Sequence, residues 1–139
     1  MSNLNDLRIL INIAIGSRLN EISDKNSMII KGHIFIDGIF IKNNKNDSFY
    51  KSTLLLINYG ASEELINCLK ELNSIRNHIA HEFEEVNDDV IDKWAEKVLS
   101  LYPAEYYTRK TKRTKIVFAL TALANQVFLL LHMKENANG

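Results

Sequence analysis

An all-α fold, a bundle of about five to six helices, is what three observations on this 139-residue sequence predict. Long segments run without a breaker, because the chain has a single proline, Pro103. Apolar residues recur at spacings of three and four over most of the length, the repeat of one helix face. Asp, Ser and Asn precede these runs where N-caps belong, and Gly60 follows one of them where a C-terminal glycine belongs. No linker composition and no internal repeat interrupts the chain, so residues 1–139 read as one domain, long enough for a substantial core.

Residues 4–22 carry Leu7, Leu10, Ile11, Ala14, Ile15, Leu19 and Ile22 on one face, an amphipathic helix, followed by a polar break at residues 24–27. Residues 34–41 read two ways. Asp37-Gly38 between short apolar arms is a favoured type I′ hairpin turn. A helix over 28–42 is the other reading; it would be apolar on most sides and buried, and the two fit the residues equally well. Asp47 or Ser48 can cap a helix over 49–59 that Gly60 stops. Ser62 caps the next, with Glu63 and Glu64 well placed for its dipole and Leu65, Cys68, Leu69, Leu72, Ile75 and Ile79 as the apolar stripe. Asn87, Asp88 and Asp89 open a helix that runs to about Leu101, with Val90, Ile91, Trp94, Val98 and Leu101 inward and Asp92 on the solvated side; Pro103 ends it. The last helix starts near Thr111 and ends near Met133, with a frayed tail beyond.

Composition narrows the function classes. Lys plus Arg equals Asp plus Glu, 17 each, so no global field draws nucleic acid and any such binding needs a local patch. One cysteine, Cys68, excludes an intrachain disulfide and a thiolate metal cluster, and reads as a small core residue. That usage fits a reducing compartment, and the first residues show no signal-peptide pattern, so a cytoplasmic protein is expected. Residues 116–133 are nearly all apolar but carry Thr121, Asn125 and Gln126 at mid-length; a buried core helix is expected there and no membrane span. Phosphate-loop, dinucleotide-loop and serine-elbow motifs are absent from the sequence, and so is His-Glu-x-x-His. No metal and no cofactor is expected, the cluster of His78, His81, Glu82, Glu84 and Glu85 matching no ligand spacing.

The run Arg76-Asn77-His78-Ile79-Ala80-His81 carries the chemistry. Arg is a fixed cation that grips phosphate oxygens with a rigid fork, and His moves a proton near neutral pH. Together they supply what metal-free phosphodiester cleavage needs: charge neutralisation on the phosphate and general acid–base catalysis. On a straight helix Asn77 and His81 share a face, whereas Arg76 and His81 lie about 140° apart, so the two would meet only through a bridging substrate or across a composite groove. In this reading Arg76, Asn77 and His81 are the catalytic candidates, Asn77 orienting His81 or the substrate. Arg109, Lys110, Lys112, Arg113 and Lys115 form the one concentrated basic run, with Tyr106 and Tyr107 before it; these cations could track an RNA backbone and the tyrosines could stack on bases.

The Arg-x4-His run, ending an amphipathic helix and followed by acidic residues, resembles the motif of the HEPN superfamily of small all-helical proteins. The resemblance implies a HEPN-like bundle, a homodimer whose two motifs share a groove, and metal-independent endoribonuclease activity of a toxin or phage-defence effector. It also implies an apolar helix over 28–42, with a histidine near its start where His33 stands. A toxin branch extends the motif to Arg-x4-His-x-Tyr and pairs with an antitoxin that modifies the tyrosine; Phe83 stands at that place here. The order of segments over 28–101 is also similar to the mannitol-operon-repressor-like group, which implies the alternative of a non-catalytic regulator or protein-interaction module.

Overall fold

The computed structural model describes residues 24–43, 47–82, 86–103 and 112–138, and no strand occurs among them. The fold is all-α: α1 is Lys25–Lys42, α2 is Phe49–Leu55 continued by a 3₁₀ turn Leu56–Tyr59, α3 is Glu63–Glu82, α4 is Asp88–Leu101 and α5 is Lys112–Asn138. The helix expected over residues 4–22 lies outside the described residues, as does the motif's Phe83.

The first four helices start where a side chain satisfies one of their first amide groups. Asp24 accepts from the Ser27 N–H at 3.0 Å, Ser48 from Lys51 at 3.2 Å, Ser62 from Leu65 at 3.1 Å and Asn87 from Asp89 at 2.8 Å. Residues 24–27 are therefore the cap and first turn of α1 rather than a break. Gly60 adopts a left-handed φ of 87°, the conformation that closes the 3₁₀ turn and turns the chain toward Ser62.

The 34–41 segment is helix. The hairpin signal of Asp37-Gly38 is local, whereas Met28, Ile29, Ile36, Ile39 and Phe40 are buried together against the other helices, and burial of that face decides the conformation. The helix is not buried all round, since Ile34 and Ile41 lie about half-exposed on its outer side. Gly32 lets α1 approach α5 closely; a Cβ there would meet the Leu120 side chain at 2.6 Å.

α5 packs most extensively on α4 and α1, and α3 lies against α1, α2 and α4. The window Lys115–His132 is long and apolar enough to cross a membrane by composition alone, and 56% of it is buried within this chain's own core. Thr121 satisfies its hydroxyl on the Val117 carbonyl at 2.7 Å and Asn125 is buried. The helix continues to Asn138, past the end expected near Met133.

On α3, Leu65, Cys68, Leu69, Leu72 and Ile75 are buried, joined by Ile66. Burial also pushes the Cys68 thiol up, which keeps it protonated and inert. Trp94 of α4 donates its indole N–H to the Cys68 carbonyl at 3.1 Å, fastening α4 to α3. The inward face of α4 is Ile91, Trp94, Ala95 and Val98; Val90 and Leu101, expected inward, lie about 49% and 37% exposed at its ends. Asp92, expected on the solvated side, is buried and pairs with Lys25 at 3.5 Å, because α1 brings that ammonium over the first turns of α4.

Candidate functional site

Three helices converge on a cavity of about 370 Å³ beside the motif. α1 contributes His33, Ile34 and Asp37, the start of α2 contributes Ser48, Phe49 and Tyr50, and α3 contributes Asn73, Arg76 and Asn77. The spacing explains the grouping: His33 and Asp37 stand one turn apart on α1, and Asn73, Arg76 and Asn77 share one flank of α3.

Arg76 sits at the edge of the apolar stripe, as its place on the helix predicts, and is half-buried. Its Nη1 donates to the Asn77 amide oxygen at 3.1 Å, so Asn77 orients the guanidinium rather than His81. The Arg76 Nε is buried and has no hydrogen-bond partner among the described residues. A buried donor left unpaired costs free energy. Glu71, a carboxylate that could have drawn Arg76 away, pairs instead with Lys97.

His33 is buried and held on two sides. Its ring stacks on Phe49 at 3.9 Å between centroids, and its Nε2 meets the Asn73 amide oxygen at 2.9 Å. Asn73 Oδ1 can only accept, so in the neutral ring the proton sits on Nε2 and the lone pair on Nδ1. Among the described residues Nδ1 has no hydrogen-bond partner. Burial lowers the His33 pKa; the Asn73 bond raises it, the Arg76 charge lowers it and the Asp37 charge raises it, with the net shift downward. His33 is therefore a neutral base at neutral pH.

The structure separates the motif's two chemical residues. His81, one turn beyond Asn77 on α3, is exposed and does not line the cavity. His78 is exposed as well. Of the sequence candidates, Arg76 and Asn77 are together in the cavity and His81 is apart from them.

Arg109 and Lys110 lie outside the described residues, and Lys112 and Arg113 fall in the first turn of α5. Lys115 forms an ion pair with Glu96 of α4 at 2.7 Å, which ties it to the bundle.

Sequence reasoning did not assign Asp37, Tyr50 or Asn73 to a site, and reached His33 only through the family resemblance. The legible signal was their helical spacing relative to one another; what joins them is the packing of α1 on α3, which no local pattern encodes. Comparison with known proteins gives no match, whether to family models, to curated proteins or to solved structures.

Proposed function

We propose that this chain is a HEPN-like, metal-independent endoribonuclease, acting as a toxin or phage-defence effector. The observation that carries the reading is the placement of Arg76 and Asn77 in a polar cavity next to an unprotonated imidazole, with a buried guanidinium nitrogen lacking a partner. Arg76 would bind the scissile phosphate and neutralise the charge that builds on it. Asn77 would hold the guanidinium in place. His81, on the surface one turn further along α3, would protonate the leaving 5′ oxygen, in the same copy or across the groove of a homodimer. RNA is the substrate, no metal or cofactor takes part in this reading, and the site of action is cytoplasmic. An antitoxin is the partner that a toxin requires, and without a tyrosine at Phe83 it would not act through that hydroxyl.

The second reading is a non-catalytic regulator or protein-interaction module, and the exposure of His81 away from the cavity favours it, since one copy does not assemble both motif residues. One experiment separates the two: incubation of wild type and Arg76→Ala with mixed cellular RNA in EDTA, with folding matched by circular dichroism. Ribonuclease action leaves 2′,3′-cyclic phosphate and 5′-hydroxyl ends that Arg76→Ala no longer produces. A folded wild type that leaves all RNA intact assigns the chain to the regulator reading.

A further inference from the structure

We propose that the reacting centre is the cavity between α1 and α3, with His33, a residue outside the Arg-x4-His motif, as its general base. The inference rests on the ribonuclease reading and assigns the proton acceptor within it.

Four observations place the role there. His33 and Arg76 line the same cavity, so a phosphodiester held by the guanidinium lies beside the imidazole, whereas His81 does not line it. The ring cannot tumble: Phe49 holds its face and Asn73 holds Nε2. The fixed Nε2 proton leaves the lone pair on Nδ1, the nitrogen with no partner among the described residues. Asp37 lies one turn along α1 in the same cavity, and its charge favours the protonated ring. A buried base that accepts a proton gains a positive charge, and a nearby carboxylate offsets the cost. The charged and titratable groups around the ring are thus Asp37 from its own helix, Tyr50 at the start of α2 and Arg76 from α3.

The step balances. His33 Nδ1 takes the proton of a ribose 2′-OH; the 2′ oxygen attacks phosphorus while Arg76 bears the charge on the phosphoryl oxygens. The bond from phosphorus to the 5′ oxygen breaks, and that oxygen takes a proton from the imidazolium of His81 or from water. The products are a 2′,3′-cyclic phosphate and a 5′-hydroxyl. The imidazolium of His33 then returns its proton to solvent. The mouth suits an unstacked nucleotide, since Ile34 and Tyr50 stand there about half-exposed, one apolar and one aromatic face beside the polar floor.

The test is the pH dependence of kcat/KM for single-stranded RNA in EDTA, in wild type, His33→Gln, Asn73→Asp and His81→Ala. A base must be unprotonated, so the wild-type rate rises with pH through the His33 pKa, below the ordinary histidine value of about 6.5. His33→Gln is expected to lower kcat/KM by about 100-fold or more and to remove that rising limb. Asn73→Asp puts a carboxylate on Nε2, favours the imidazolium and is expected to move the rising limb to higher pH without abolishing cleavage. A merely structural histidine would not produce that displacement. His81→Ala is expected to keep the rising limb. A rising limb that stays in place in Asn73→Asp, or that disappears in His81→Ala while surviving in His33→Gln, overturns the assignment and leaves the ribonuclease intact. Absence of cleavage by the wild type overturns both.

Discussion

α1 carries two polar clusters, and they are built in opposite ways. At its N-terminus Asn26 uses both ends of its amide on one residue sixty positions away: it donates to the Val86 carbonyl at 3.3 Å and accepts from the Val86 N–H at 2.9 Å. Lys25 beside it bridges Asp88 at 3.3 Å and Asp92 at 3.5 Å. This cluster clamps α1 to the start of α4. Two turns along, the buried His33 and the half-buried Asp37, Asn73 and Arg76 surround open space, and one guanidinium nitrogen and one imidazole nitrogen lack partners among the described residues. Buried polar groups that pair with each other stabilise and specify a packing; buried polar groups left unpaired around a cavity are a cost to folding that a ligand can offset. The first cluster is where the molecule is held together, and the second is where it has room to act.

Breaking the first cluster gives the largest expected change in stability. Asn26→Ala removes both partners of Val86, and chemical denaturation should show a loss of about 2–4 kcal/mol while the cavity chemistry of the folded fraction is retained. Gly32→Ala comes next, because Gly32 lets α1 approach α5 closely. Its Cβ would press on a Leu120 side chain that is only 1% exposed. Overpacking of about 1–3 kcal/mol outweighs the roughly 1 kcal/mol gained in helix propensity, so the midpoint of unfolding should fall.

The second cluster has its own signature in pH. The His33 pKa is lowered in the folded chain, so between the ordinary value near 6.5 and the lowered value the unfolded chain binds more protons than the folded one. Folding stability is therefore full above about pH 6.5 and declines as pH falls through that window. His33→Gln should flatten this dependence in denaturant titrations across the same pH range, whereas Asn26→Ala should lower the whole curve without changing its slope there.

Gly38→Ala is the reverse of Gly32→Ala. A Cβ at Gly38 meets nothing within 4 Å, and alanine should raise stability by about 0.5–1 kcal/mol without altering cleavage. The smallest effect belongs to the surface. Replacing Glu71 by Gln, which removes the exposed pair with Lys97, should change stability by no more than about 1 kcal/mol and leave both clusters untouched.

The parts of this fold that were legible in the sequence are those set by neighbours in the chain. Ser48, Ser62 and Asn87 cap their helices because a short polar side chain reaches its own amides two or three residues on, and the stripe from Leu65 to Ile75 faces inward because its spacing allows no other face. Residues 34–41 were not decidable locally: Asp37-Gly38 favours a turn within its own four residues, and only the burial of Ile36 and Phe40 against other helices overrules it. Asp92 is the same lesson in charge, read as solvated from its acidic neighbours and buried because Lys25 of a distant segment covers it. The site was half legible. Arg76 and Asn77 belong to a recognisable run, but the imidazole that joins them comes from α1, and the imidazole of the run itself, His81, does not line the cavity.

Trp94 is the one tryptophan of the chain, 3% exposed, and its indole N–H is committed to the Cys68 carbonyl in the N-terminal half of the helix that carries Arg76. The molecule thus contains its own optical gauge. Indole emission reports the polarity around the ring, so a blue-shifted spectrum means that α4 is seated on α3, and a shift toward longer wavelength means that the two have parted. Because the fluorophore is seated between α4 and α3 and does not line the cavity, the signal separates loosening of the scaffold from events in the cavity itself. No label and no substitution is needed to follow one without disturbing the other.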